Sequence, residues 1–181
     1  MRLAALLLVL ACTPVGSQTA QRAGIAAAPI AATHIPEGML TGLEKGIDGR
    51  LVALDPMDPI DMLGGTRALY LPGYGTVFTT ELSLIVTPGN FPIATSRYTP
   101  EFKAQVRQRK LARLPKLEEA MKEMVKMTAL TLAPMPDDQR IVLAVRVRYL
   151  PEEDTTGLPA QIVMSADKKS AKLGDVKTEI E

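Results

Sequence analysis

Two stretches of strict alternation flank a long helical pattern, and that order narrows the fold more than any other feature. In TVFTTELSLIV (76–86), Phe78, Thr80, Leu82, Leu84 and Val86 fall on one face, and Val77, Thr79, Glu81, Ser83 and Ile85 on the other. Strand side chains alternate between faces, so a mixed second face predicts a half-buried strand. RIVLAVRVRYL (140–150) repeats the pattern, with Ile141, Leu143, Val145, Val147 and Tyr149 inward and Arg146 and Arg148 outward. A helical crossover between two such strands favours parallel neighbours and a right-handed connection.

The intervening helix announces its start. Thr99 suits the N-cap, Pro100 the first helical position, and Glu101 the positive end of the dipole. Val106, Leu111, Leu114, Leu117, Met121, Met124, Val125 and Thr128 form an apolar stripe. Pro115 removes the bond to the Leu111 carbonyl and predicts a kink or restart there, and APMPDD ends the helix. An earlier helix is expected over 41–54, where Leu40, Leu43, Ile47, Leu51 and Leu54 keep helical spacing and Thr41 offers a cap. Gly42, Gly46 and Gly49 oppose it, each by about 1 kcal/mol relative to Ala. TRALYL and QIVMSA read as short strands. DKKSAKLGDVKTEIE reads as one helical turn and a polar tail.

The expected fold is therefore α+β: a two-layer domain with a mixed sheet of about four strands and helices packed on one face, the long helix kinked near Pro115. The chain of 181 residues, 46% hydrophobic, suffices for one such core. The expected organisation is a signal peptide over 1–20, a flexible Ala-rich linker over 21–39, the domain over 40–173 and a disordered tail over 174–181.

Compartment is read from the amino terminus. Arg2 precedes LAALLLVLA, an apolar run too short to span a bilayer, followed by small and polar residues. This is the pattern of a secretory signal, cleaved after Ser17 or after Ala20. A second reading uses Cys12, the chain's one cysteine: VLAC resembles a bacterial lipobox, although Leu10 stands where a small residue is usual. On that reading Cys12 carries lipid and the linker is a tether. On both readings the folded part keeps no internal cysteine, which removes a disulfide framework, a thiol nucleophile and a thiolate metal site. The expected location is periplasmic or secreted, or at a membrane through a lipid anchor.

Several chemistries lack their residues. A net charge of +1, no Trp and 4% aromatics argue against nucleic acid. PGYG (72–75) is followed by a strand rather than a helix and lacks the P-loop lysine, so it is no phosphate cradle. A type II turn with Gly73 at positive φ is expected, with Gly75 allowing close backbone approach and Tyr74 at the sheet end. His34, the one histidine, falls in the linker, so neither a Ser-His-Asp triad nor a histidine metal site is expected. Glu81, Glu152, Glu153 and Asp154 show no spacing that selects a carboxylate pair, and EED lacks the alternation of a calcium loop. No cofactor is implied.

The remaining candidate is basic. KAQVRQRKLARLPK places Lys103, Arg107, Arg109, Lys110, Arg113 and Lys116 on one helix with no acid among them. One reading is an interaction surface for an envelope protein or an anionic surface, with Tyr74 as a further contact. The other is a solubilising face balanced by Glu118, Glu119 and Glu123. Met121, Met124 and Met127 read as core filler.

ALYLPGYGTVFTTELSL (68–84) and EDTTGLPAQIVMSA (153–166) resemble a family of uncharacterised exported bacterial proteins, in which a GYG-hydrophobic-Phe strand precedes a long helix and later strands. The resemblance implies a bacterial envelope location and no catalytic residue. The resulting expectation is a non-enzymatic binding module. The alternative is a hydrolase-type enzyme using carboxylate, Ser, Lys or Tyr groups at a sheet end near Tyr74 and Asp154.

Overall fold

Gly75 and Arg140 open the two central strands side by side. In a computed structural model that describes residues 34–86 and 99–181, the element order is α1 (Glu37–Val52), β1 (Asp61–Met62), β2 (Arg67–Leu71), β3 (Gly75–Ser83), α2 (Pro100–Thr131), β4 (Arg140–Val147), β5 (Gln161–Asp167), α3 (Lys168–Lys172) and β6 (Lys177–Ile180). β3 and β4 pair in parallel, from Gly75 beside Arg140 to Leu82 beside Val147. The long helix between them is the expected crossover. β5 and β6 follow antiparallel. β1 and β2 both pair antiparallel with the free side of β3, β2 along Gly75–Thr79 and β1 at Leu82–Ser83. They are two pieces of one edge, interrupted at Leu63–Thr66.

The fold is α+β with a mixed sheet. It has six strands rather than about four. The two extra strands were invisible to periodicity: β1 has two residues, and β6 is the polar KTEI, held by main-chain bonds that need no apolar pattern. The expected disordered tail over 174–181 is thus largely a sheet edge.

Alternation built the core. Phe78, Leu82, Ile141, Leu143, Val145, Ile162 and Met164 are buried and pack with Ile47 and Leu51 of α1 and Leu117, Met121 and Met124 of α2. The strand ends at Ser83, earlier than alternation to Val86 implies. Ser83 Oγ donates to the Ile85 carbonyl at 3.0 Å, and the chain bends there. Leu84 and Ile85 are then both buried, while Val86 is exposed.

α1 starts at Glu37, not near Thr41; Pro36 precedes it and no side chain caps it. A proline just ahead of the helix gives up only an N–H that no intrahelical carbonyl would accept. The linker expected over 21–39 therefore ends in ordered structure, with Ile35 buried in the core. α2 starts as its signals require: Thr99 Oγ1 accepts the Phe102 N–H at 3.3 Å. It runs unbroken through Pro115, so no restart occurs. The expected signal peptide, Cys12 and residues 21–33 of the linker lie outside the described residues.

Candidate functional site

The buried stripe of α2 runs Val106, Lys110, Arg113, Leu117, Met121, Met124 and Thr128, at steps of three or four. Two cations thus occupy core positions. A buried charge needs a partner and hydrogen bonds to offset its lost hydration. Lys110 is fully buried; its ammonium bonds Glu153 and lies 4.9 Å from the Tyr149 ring centre. Arg113 donates to the Leu84 and Asp58 carbonyls and lies 3.0 Å from the Asp58 carboxylate. Arg109 meets Asp58 at 2.6 Å, Lys116 meets Asp55 at 3.4 Å, and Arg107 meets Asp154 at 3.4 Å.

The basic run is therefore largely neutralised by two acidic loops, DPMDP before β1 and EED after β4. Lys110 and Arg113 do not reach the surface and cannot receive a lipid headgroup or a partner's acids. Arg107, Arg109 and the half-buried Lys103 lie nearer solvent, beside those acids. Asp154 is held below the usual carboxylate range by hydrogen bonds from Thr156, with Arg107 and Lys103 adding their charge. Burial would raise Asp55, but Lys116, the Met57 amide and Arg113 outweigh it and lower the carboxyl.

A third buried cation does the same at the far end of α2. Lys168 donates to the carbonyls of Ala133 and Met135, just past the helix C-terminus, and Asp137 lies 3.7 Å away. Carbonyls in an irregular turn lack the donors of a helix or sheet ladder, and a lysine ammonium supplies them. Burial pushes this ammonium below the usual lysine range, with the Lys172 charge adding to it.

PGYG is the expected turn. The Tyr74 N–H donates to the Leu71 carbonyl at 3.0 Å and Gly73 has φ of 79°. Gly75 has φ of 137°, and a Cβ there would stand 1.9 Å from the Arg140 carbonyl oxygen. Glycine is what lets β3 meet β4 at this end. Tyr74 is half exposed just before β3, whereas the Lys110–Glu153 cluster and Asp154 lie past the other end of β4. Tyr74 and the basic residues thus do not share a surface. Nor do Tyr74 and Asp154 form the sheet-end site that the hydrolase alternative required.

The sheet face away from the helices offers a different surface. Leu69 pairs with Val77, Val77 with Val142, and Thr79 with Ala144, which faces Val163. Leu69 and Leu71 are exposed and the valines half-exposed, so an apolar band crosses four strands. Charge borders it at both ends: Glu81 meets Arg146 at 3.3 Å and Arg148 at 3.6 Å, and Arg140 lies 4.0 Å from Asp167. At the interruption between β1 and β2 this face sinks into an open cavity of about 500 Å³, lined by Leu63, Arg67, Thr79, Glu81, Arg146 and Gln161. Sequence reading assigned Val77, Thr79 and Glu81 to this face but attached no role to it. The signal was the number of apolar residues at outward positions of four strands.

Among the described residues no group of three or more His, Cys, Asp or Glu side chains could hold a metal ion, and no helix is long and apolar enough to cross a membrane. No protein-family model, curated protein or solved structure matches this chain.

Proposed function

We propose that the protein is an exported bacterial envelope component that works by binding another macromolecule, and that the open sheet face is its binding surface. The observation that carries this is the apolar band of Leu69, Leu71, Val77, Val142 and Val163 with charged borders. An apolar centre with a polar rim is the anatomy of a protein interface, and contiguous exposed apolar area marks interaction sites. The signal-like amino terminus supports the location. The basic helix is not part of the surface, because its cations hold the fold's own loops.

A photo-crosslinking side chain placed at Leu69 or Val142, against a control at the exposed Lys122 of α2, tests the surface in the producing cell. Heterologous adducts from the two sheet positions and none from the control are expected. Equal labelling from all three, or none from the sheet, overturns the reading. Intact mass with membrane fractionation tests the location. A chain beginning near Gln18 or Gln21, or acylated at Cys12, is expected, and an unprocessed cytoplasmic chain refutes export.

A further inference from the structure

β6 forms one edge of the sheet, and among the described residues no strand pairs with its outer side. An unpaired edge is a template for another strand, and proteins usually blunt it with charge. This edge carries charge in an unusual arrangement. Lys177 and Glu179 flank Thr178 on the open face, while Val176, Thr178 and Ile180 alternate with them.

The hydrogen-bonding direction of each residue follows from the β5 ladder. Gln161 and Glu181 exchange both main-chain bonds, at 3.1 and 3.0 Å. The N–H and C=O of one strand residue point to the same side, and the side alternates. Glu181, Glu179 and Lys177 therefore bond inward to β5, and Thr178 and Ile180 present their N–H and C=O groups outward.

We infer that β6 pairs antiparallel with β6 of a second copy about a two-fold axis at Thr178. Thr178 then exchanges both main-chain bonds with Thr178 of the other copy. Lys177 stands opposite Glu179 on each side of the axis, and Ile180, 53% exposed in the single chain, stands opposite Val176. Neighbouring registers are excluded by charge: a shift to either side sets Glu179 against Glu179 or Lys177 against Lys177. Opposite charges directly across a ladder stabilise it and like charges destabilise it. The same Lys-Thr-Glu order that repels most strands is complementary to itself in this register. The contact is isologous, as a closed two-fold dimer requires. The axis runs perpendicular to the sheet, so both open faces point the same way and both helical layers lie on the opposite side. This inference goes beyond the proposed function and does not depend on it.

Sedimentation of the full chain at concentrations up to the millimolar range, with charge-swap variants, tests it. The unaltered chain is expected to dimerise. Lys177→Glu and Glu179→Lys are each expected to weaken the dimer by about tenfold or more, since each replaces both attractive pairs by repulsive ones. The double variant K177E/E179K restores the pairing and is expected to dimerise again. Thr178→Pro removes only an outward N–H, so it should abolish the dimer while leaving the monomer's circular dichroism and thermal transition in place. A monomer throughout the range, or a dimer indifferent to both single swaps, overturns the inference.

Discussion

Asp48 Oδ1 accepts two hydrogen bonds from Thr66, from its main-chain N–H at 2.9 Å and from its hydroxyl at 2.6 Å. One helical turn earlier Glu44 Oε1 accepts the Ala68 N–H at 2.7 Å. Carboxylates of α1 thus satisfy the amides of Thr66, just before β2, and of Ala68 within it, on the side that no strand covers among the described residues. Asp48→Ala is expected to cost about 1–3 kcal/mol, because buried donors lose their acceptor. The E44A/D48A pair should also aggregate faster on warming, since the β2 edge is bared. Urea titration and light scattering check the two parts.

Lys110 and Glu153 are expected to be strongly coupled. Lys110→Ala removes the cation from a nearly buried carboxylate and should cost about 3–5 kcal/mol. Glu153→Gln in that background should recover part of the loss. A double-mutant cycle by denaturant unfolding measures the coupling, and additive effects would dissolve the pair as an energetic unit.

Tyr149 should ionise late. Burial, and then the Glu153 charge, push its phenol up to about 12 from 10.0. Its hydroxyl donates to the Pro159 carbonyl at 2.6 Å. A raised folded value means that this contribution to stability is complete below pH 10.0 and is lost as pH rises toward about 12. Ultraviolet titration should show one late tyrosine that is missing from Tyr149→Phe.

Acid should act through Asp154 and Asp137, both lowered from 3.8, the first by Thr156 and the second by Lys172. A depressed folded value gives stability that is present above 3.8 and is lost as pH falls through the folded value. Asp154→Asn should therefore flatten the acid limb of melting temperature against pH, and an unchanged limb would remove Asp154 from the account.

Thr80 Oγ1 is buried in the core without a hydrogen-bond partner. Valine has the same shape and no hydroxyl, and it suits a strand. Thr80→Val should stabilise the protein by about 1 kcal/mol, read as a raised midpoint in urea.

Much of the architecture was legible because apolar period and chain order carry it. β3, α2 and β4 came from alternation, capping residues and the crossover rule. What escaped was placed by main-chain bonding, as with β6, or by charge acting as core. By residue type, Lys110 and Arg113 read as part of an interaction surface or of a solubilising face, both of them exposed. Their spacing said otherwise, since 106, 110, 113, 117 and 121 form one helical stripe. The acids that receive them lie in loops that only the fold brings near: Glu153 is 43 positions from Lys110, and Asp58 is 55 from Arg113. Of the open face, alternation placed Val77 but not Val142 or Val163, and that no helix covers it among the described residues is something no single strand reveals.

The parallel pairing at the sheet's centre also dictates when the sheet can close. Glu81 and Arg146, neighbours across β3 and β4, are 65 residues apart, whereas β2 and β3 meet through the tight turn at Gly73. Closing a long loop must precede the contacts that reward it. The β2–β3 hairpin therefore forms early and waits, with the inner edge of β3 bare, until α2 and β4 have been made and brought back. A chain with that schedule leaves a pairing edge of β3 bare until β4 is made, the kind of edge that templates another strand.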